Sequence, residues 1–326
     1  MTSPAELTIS VHPDAASIPA EDWNRLAANG GAHVANPFID HAFFLALEQS
    51  GCATGRTGWQ PQHIVIRQGQ EAIGLMPMFL KSHSMGEYVF DHAWADAFER
   101  AGGRYYPKLQ SSVPFTPATA PKLLAADDSI ETRMALLGAA ETLAERLGAS
   151  SVHATFVPEA EENLAREAGW LIRHDTQFHW TNEEFGTFDN FLDTLQSRKR
   201  KAIRRERREA LIDGIDVEWV TGSDLTEAHW DAFFEFYMDT GARKWGRPYL
   251  NREFFSRISE AMADRILLVV AKDRDRYIAG ALNFIGDDTL YGRNWGAIGD
   301  VPFLHFELCY YQAIDFAIQR GLKRVE

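Results

Sequence analysis

Cysteine is scarce in this sequence, and long apolar runs are missing from it. Only Cys52 and Cys309 occur among 326 residues, too far apart in sequence to suggest a zinc or redox motif. This usage fits a reducing cytosol, so we expect a cytoplasmic protein. No apolar run approaches the roughly 20 residues that a membrane-spanning helix needs. The first residues also lack the basic-then-apolar order of a signal peptide.

Several familiar catalytic motifs are missing as well. The sequence contains no P-loop, no dinucleotide-binding glycine fingerprint and no Ser-His-Asp order typical of hydrolases. Segment 90–96 gathers Asp91, His92 and Asp96, but one imidazole and two carboxylates without a further ligand make a weak metal set. We therefore expect no metal site.

Basic residues are concentrated in one segment of an otherwise acidic chain. The net charge is −13, yet residues 197–208 hold eight Lys/Arg and one acid, which leaves 25 bases and 45 acids elsewhere, net −20. Two interpretations stay open: a solvated helix whose bases meet neighbouring acids, or a docking surface for the phosphates of RNA or of an anionic lipid headgroup. The candidate polyanion-binding residues are Arg198, Lys199, Arg200, Lys201, Arg204, Arg205, Arg207 and Arg208.

The order of predicted elements is the same in both halves of the chain. Near the end, runs at about 265–272, 277–285 and 289–295 have the residues of strands, separated by polar turns. Asp300 is placed to cap a following helix, and Gly321 to end it before a last strand. The first half likewise predicts a strand, two helices, three strands, a helix and a strand. We expect a structural duplication.

The length also suits two domains. The chain has 326 residues, 45% of them hydrophobic, and domains usually span about 100–200 residues. The predicted regions are an N-terminal domain at 1–183, a basic helical linker at 184–214 and a C-terminal domain at 215–326.

A set of motifs carries a family resemblance. In the second half they are SRKRKAIRRERR, TGARKWGRPYLNREFF, AGALNFIGDDTLYGRNWGA and FLHFELCYYQAIDFAIQRGLKRVE, and in the first half PFIDHAFFLALEQSG and YYPKLQSSVPFTPATAPKLL. Together they resemble the FemAB-like (Fem-type) aminoacyl and acyl transferases of the GNAT N-acyltransferase superfamily. They are most similar to the bacterial subgroup described as peptidoglycan biosynthesis/recognition proteins.

The resemblance implies both a fold and a reaction. The fold is an α+β (α/β), tandem duplicated GNAT-like acyl-CoA N-acyltransferase fold, with two mixed sheets flanked by helices. The reaction transfers an acyl or aminoacyl group from a thioester (acyl-CoA) or an aminoacyl-tRNA to an amine. The implied acceptor is a small-molecule or lipid-linked amine such as a peptidoglycan precursor. The basic helix would add contact with tRNA or with a membrane surface.

The sequence departs from the family pattern in two places. Classical GNAT enzymes carry a Gly-rich pyrophosphate loop after the fourth strand, whereas RNWGAIGDVPF has its glycines at a different spacing. This spacing argues against acetyl-CoA as the donor. Related Fem-like chains continue past KRVE with a Gly-rich turn and further strands, so we expect this C-terminal domain to be a truncated part of a longer one.

The GNAT resemblance places a cleft between the fourth and fifth strands of the second domain. We expect Arg293 and Asn294 to orient the substrate there, and His305 or Glu307 to accept a proton. Substrate-binding candidates are Tyr291, Trp295, Tyr310 and Tyr311, together with Arg243, Lys244, Trp245 and Arg247 of a second, basic pocket.

Simpler interpretations of these residues stay open. Tyr291 and Trp295 alternate on one strand and suit the core, a histidine near a helix start suits capping or packing, and 242–249 suits an exposed loop. Two other classes of function also remain. One is a non-catalytic protein that recognises cell-wall precursors, and the other is an RNA-binding protein that uses the basic helix.

Overall fold

The computed structural model describes residues 6–31, 33–211, 214–244 and 248–326, with the side chain of Lys244 left out. The chain divides into two compact units, Met1–Asp175 and Thr176–Glu326. Each unit buries its own apolar core.

The first unit combines helices and short strands. Its helices are α1 (Ala20–Ala27), α2 (His41–Gln49), α3 (His92–Arg100), α4 (Ile130–Leu147) and α5 (Glu159–Glu167). Its strands are β1 (Leu7–His12), β2 (Trp59–Pro61), β3 (His63–Gln68), β4 (Glu71–Met76), β5 (Phe79–Lys81), β6 (Lys108–Ser111), β7 (Leu124–Ala125) and β8 (Val152–Ala154).

The central hairpin of the first unit is interrupted, and this splits its sheet. β3 pairs with β4 and β2 pairs with β5, but the ladder breaks between the two pairs. At the break His63 Nδ1 accepts the Met78 N–H at 3.1 Å, and Pro77 has no N–H to donate. Two four-stranded sheets result, in the orders β1-β3-β4-β7 and β2-β5-β6-β8. The described residues thus form three sheets in all, one more than the sequence predicted.

Helix α4 covers the first of these sheets. Ser129 caps it by accepting the Thr132 N–H at 3.1 Å, and Gly148 ends it with a left-handed φ of 63°. Its buried face places Leu136 and Ala140 in one cluster with Ile64 of β3. This apolar contact fixes the helix on the sheet.

The second unit is built around one larger sheet. Its helices are α6 (Phe188–Thr194), α7 (Ser197–Ala210), α8 (Glu227–Lys244), α9 (Arg252–Met262), the single turn α10 (Leu304–Phe306), a π-helical turn (Glu307–Tyr311) and α11 (Gln312–Gln319). Its strands are β9 (Trp180–Thr181), β10 (Ile215–Thr221), β11 (Ile266–Asp273), β12 (Arg276–Ile285), β13 (Thr289–Ala297) and β14 (Arg324–Val325).

The strand order of this sheet is β10-β11-β12-β13-β14-β9. The three strands predicted at 265–295 are confirmed, and β13 pairs with β14 in parallel. β9 pairs with β14 at the edge, so residues 176–183, predicted in the N-terminal domain, lie in the second unit. The predicted linker helix α7 also packs within this unit, through Ile203.

The predicted Asp300 cap is wrong. The helix begins at Leu304, after a turn in which the Leu304 N–H bonds to the Val301 carbonyl at 3.2 Å. Phe303 takes a left-handed φ of 63° at this point, a conformation that costs energy for a bulky residue. Residues 301–303, which the sequence predicted as the start of the helix, form this turn instead.

Membrane-spanning helices and metal-ligand groups are both missing from the described ranges. No helix there is both long and apolar enough to cross a membrane. Within the same ranges, no group of three or more His, Cys, Asp or Glu side chains is placed to hold a metal ion.

Candidate functional site

A β-bulge in β13 determines where the predicted site residues lie. Leu282 of β12 is opposite Asn294, but the next residue, Asn283, is opposite Gly292. Arg293 is therefore the inserted residue of the bulge. An insertion of one residue reverses the alternation of side chains beyond it, because alternation along a strand has a period of two.

The bulge puts Tyr291 and Trp295, which the sequence predicted to share one cleft, on opposite faces of the sheet. Tyr291 is opposite Phe284, whereas Trp295 is opposite Ala281, and those two β12 residues lie on opposite faces of the sheet. Trp295 packs into the cluster that holds Ala281 and the C-terminal helices. Tyr291 is buried, and burial with the nearby Glu326 raises the pKa of its phenol to about 12. Tyr291 thus suits a packing role.

Trp295 contacts His305 on the sheet face that packs against the C-terminal helices α10 and α11. Their ring centres are 5.1 Å apart with the planes at 73°. Tyr310 and Phe306 complete the group, with ring centres 5.7 and 5.6 Å from that of His305. Phe306 and Tyr310 are about half exposed, at 49% and 51%. The structure thus brings three predicted residues together in an aromatic group that reaches the surface.

Glu307 lies inside the unit, away from solvent. Its side chain is fully buried, and Arg207 donates to both of its oxygens in three bonds of 3.0–3.2 Å. Gln312 Nε2 adds a fourth bond at 2.7 Å. Arg207 and Gln312 thus occupy the oxygens of a carboxylate that solvent does not reach, so Glu307 does not face a substrate. Of the two predicted proton acceptors, the geometry therefore favours His305.

The neighbours of Glu307 extend the same network. Gln312 Oε1 accepts from Trp219 Nε1 at 2.7 Å, which reaches β10, and Tyr311 donates to Glu206 of α7 at 2.5 Å. Burial and Glu206 raise the pKa of the Tyr311 phenol. Tyr311, predicted to bind substrate, is instead buried and engaged with α7.

Helix α7 is basic on two faces that differ in their contacts. On the inner side, Arg207 bonds to Glu307, Arg204 pairs with Asp189 at 2.8 Å and Arg200 with Asp193 at 3.6 Å. The outer face carries Arg198, Lys201, Arg205 and Arg208, which recur at intervals of three and four and are exposed. Among the described residues, only Arg205 of these four forms an ion pair, with Glu209 at 3.5 Å. The interpretation in which bases meet neighbouring acids therefore describes the inner side, and docking of phosphates stays a prediction for the outer face.

A groove runs beside α7. It has a volume of about 470 Å³ and is lined by Thr187, Phe188, Asp189, Leu192, Arg204, Arg207, Arg208 and Asp315. Arg207 stacks on the Phe188 ring, with 4.4 Å from the guanidinium carbon to the ring centre. The groove thus joins the inner and outer basic residues.

The predicted basic pocket is only partly described. Arg243 is exposed, pairs with Asp239 at 2.5 Å and donates to the Ala297 carbonyl at 2.9 Å. This bond holds the end of α8 near the end of β13. The Lys244 side chain, Trp245 and Arg247 lie outside the described residues.

Asn283 is a candidate that the sequence reasoning missed. Its Nδ2 donates to the Leu267 and Ala281 carbonyls at 3.3 and 3.2 Å, but its buried Oδ1 has no hydrogen-bond partner in the described part of the chain. Register places it on the same face as Trp295, opposite Gly292 of the bulge. One amide in the otherwise apolar run YIAGALNFI was the available signal.

Comparison with known families gives one match over nearly the whole chain. The model of the FemAB-like family, described as peptidoglycan biosynthesis/recognition, matches residues 14–326. No curated protein matches the chain.

Comparison with solved structures finds similar folds at low identity. The crystal structure of FemX has a TM-score of 0.50 and 13% identity, covering 98% of this chain and 87% of that one. The C-terminal domain of a putative lysylphosphatidylglycerol synthetase from Agrobacterium fabrum has a TM-score of 0.54 and 10% identity, covering 94% and 77%. A tandem GNAT protein from the clavulanic acid biosynthesis pathway has a TM-score of 0.46 and 12% identity, covering 98% and 89%. The mixed α+β, Fem-type fold predicted from the sequence is confirmed.

Proposed function

Because the chain belongs to the FemAB-like peptidoglycan biosynthesis/recognition family, we propose that its second unit transfers an acyl group from an activated donor to an amine. One observation carries this proposal. The bulge at Arg293 turns Trp295 toward His305, on the face where the Asn283 Oδ1 has no donor in the described residues. Bulges often aim side chains at active sites.

Each group in this arrangement has a part in the proposed reaction. The amine nitrogen attacks the acyl carbon, a C–N bond forms, and the C–S bond of a thioester donor breaks. His305 takes one proton from the amine and returns it to the leaving thiolate. The Asn283 Oδ1 accepts an N–H of the amine, and Arg293 pairs with an anionic part of the donor. Trp295 and Tyr310 form apolar walls that exclude water.

The donor and the acceptor are proposed from the sequence and from the family description. A thioester is the first donor to test, because no finding here supports tRNA as a partner. The glycine spacing after β13 argues against acetyl-CoA held by the usual pyrophosphate loop, so the test covers acyl-CoAs with different acyl groups. The family description supports a lipid-linked amine as the acceptor, such as a peptidoglycan precursor.

The test is direct detection of product. The protein is incubated with a panel of acyl-CoAs, or with aminoacyl-tRNA, and with an amine-bearing peptidoglycan precursor. Mass spectrometry then measures amide formation, and a thiol reagent measures free CoA. We expect one thiol per amide with at least one acyl-CoA. If the precursor stabilises the folded protein against thermal unfolding but no amide forms, the result would favour a non-catalytic binding function.

A second proposal concerns the outer face of α7. We propose that Arg198, Lys201, Arg205 and Arg208 dock the protein on an anionic membrane surface, where a lipid-linked acceptor would lie. Clustered basic residues on a helix face contribute roughly 1 kcal/mol each near such a surface. Helix α7 contains no aromatic residue between Ser197 and Ala210, which argues against base recognition in RNA.

A further inference from the structure

The segment between β5 and α3 in the first unit has its polarity reversed. We call residues 82–91 the covering segment. It exposes Met85, Tyr88 and Phe90, the last at 76%, and it buries Glu87 and Asp91, each at 3%. Placing charges inside and apolar side chains outside costs stability, because buried ions lose their hydration. Because this arrangement lowers stability, we look for a function that it serves.

The buried charges of the covering segment converge on one lysine. Lys108 Nζ donates to Asp91 Oδ2 at 2.6 Å, to Glu87 Oε2 at 2.8 Å and to Ser84 Oγ at 2.8 Å. Tyr105 also donates to Asp91 Oδ2, at 2.8 Å. Burial alone would raise the pKa of Asp91, but these hydrogen bonds outweigh it and lower the pKa. Asp91 is therefore an anion in the folded protein.

A second lysine lies beside the first on the same sheet face. Lys81 of β5 is directly opposite Lys108 of β6, and Trp59 of β2 is directly opposite Lys81. The Lys81 ammonium sits 3.4 Å from the centre of the Trp59 ring and 3.8 Å from Glu87 Oε1. Burial lowers the pKa of Lys81 to about 7, so its charge is partly lost at neutral pH.

Five buried polar atoms on β2, on the covering segment and along or just after β6 have no hydrogen-bond partner among the described residues. Three are acceptors, one is a donor and one is a hydroxyl: Glu87 Oε1, Asp91 Oδ1, Gln110 Oε1, Trp59 Nε1 and Ser112 Oγ. The amide orientation of Gln110 is fixed, because its other terminal atom bonds to the Ser111 carbonyl and must be nitrogen. Buried polar groups are rarely left unpaired in native proteins, and each such group calls for a reason.

We infer that this group, Lys81, Glu87, Asp91, Lys108 and Gln110, is a binding site for a ligand with a primary ammonium group, which would donate its N–H bonds to the three acceptor oxygens that receive no hydrogen bond within the described residues. We call it the Lys108 cluster. The inference concerns the first unit alone and does not depend on acyl transfer in the second.

The chemistry of the cluster disfavours the other ligand classes. A phosphate or carboxylate would meet Glu87 and Asp91, and the Lys108 ammonium is already bonded to both. A metal ion would need the position between the two carboxylates that Lys108 Nζ occupies. Glu87 Oε1 and Asp91 Oδ1 are carboxylate oxygens that receive no hydrogen bond within the described residues, and a primary ammonium supplies N–H donors for them.

The test uses the full chain and a simple probe. n-Butylammonium is titrated into the protein by calorimetry, beside tetramethylammonium, which has the charge without N–H donors, and n-butanol, which has a donor without the charge. We expect saturable 1:1 binding of n-butylammonium only. Equal binding of all three probes, or no saturation with n-butylammonium, would overturn the inference, and neither result depends on a variant.

Variants locate the binding. Glu87→Gln and Asp91→Asn should weaken n-butylammonium binding by about tenfold or more, since hydrogen bonds to charged acceptors are the stronger ones. Gln110→Met removes an unpaired acceptor, so it should fold and still lose affinity. Glu161→Gln is the matched control, because both oxygens of this buried carboxylate already accept backbone N–H groups of Lys122 or Leu123. Unchanged affinity in Gln110→Met would place the ligand elsewhere.

Discussion

Arg207 and Glu307 form an ion pair of three hydrogen bonds that joins the basic helix α7 to the π-helical turn. The glutamate is fully buried and the arginine is 23% exposed. The pair engages one of the eight clustered bases and the carboxylate that the sequence offered as an alternative proton acceptor. It also gives a stability prediction.

Replacing Arg207 with methionine should destabilise the second unit by about 3 kcal/mol, because a buried carboxylate would lose its main partner. Urea unfolding measures the change. Arg208→Met is the matched control, since Arg208 has no ion pair within the described residues and should cost less than about 0.5 kcal/mol. Equal effects of the two substitutions would contradict the assigned role of the pair.

Charge reversal on the outer face of α7 should abolish membrane docking. Lys201→Glu, Arg205→Glu and Arg208→Glu together should remove binding to vesicles of phosphatidylcholine with phosphatidylglycerol, measured by co-sedimentation. Wild-type binding should fall steeply with salt, because the attraction is screened. A control with the same charge change replaces exposed Arg56, Arg100 and Arg276 with glutamate. Docking that survives the α7 changes, or is lost equally in the control, would count against the proposal.

Gly296 of β13 should tolerate no side chain. A Cβ there would lie 2.3 Å from the Phe236 carbonyl carbon of α8, a backbone atom that cannot move aside alone. Gly296→Ala should therefore destabilise the protein by about 2 kcal/mol. Gly138→Ala is the opposite case, because a Cβ at this exposed position in α4 meets nothing within 4 Å. It should stabilise the helix by about 0.5–1 kcal/mol, and thermal unfolding compares the two.

Lys81 should make stability depend on pH. The pKa of this lysine is about 7 in the folded state against an ordinary 10.5. Between these values the unfolded chain binds more protons, so the contribution of Lys81 to the unfolding free energy rises with pH, by at most about 1.4 kcal/mol per unit. The unfolding free energy of the wild type minus that of Lys81→Met should therefore become more positive as the pH rises from 7. Lys199→Met, at an exposed position, provides the control, and a pH-independent difference for Lys81→Met would refute the assignment.

The strands of the second unit could be predicted from sequence because their signals are local. Residues 266–297 form apolar, β-branched and aromatic runs that are separated by polar turns. The bulge at Arg293 could not be predicted, because it exists only relative to Leu282 and Asn283 of the partner strand. For the same reason, the opposite sheet faces of Tyr291 and Trp295 were not foreseen.

The Lys108 cluster was hidden from sequence reasoning for a different cause. Lys81 and Lys108 become neighbours only when β5 pairs with β6. Glu87 lies in a segment without regular structure, and the sequence gives no sign that it is buried. The surroundings of Glu307 could not be predicted for the same reason, because its partner Arg207 lies 100 residues earlier in the chain. Long-range pairing of this kind leaves no local pattern in a single sequence.

The most direct test of the central claim is the single-turnover rate of amide formation by His305→Ala, measured with the donor and acceptor that the wild type accepts. If His305 moves the amine proton, the rate should fall by about 10²–10⁴-fold, as for other general bases. Phe306→Ala, which changes the exposed neighbour, should retain most of the rate. A His305→Ala rate equal to that of the wild type would contradict the proposed site.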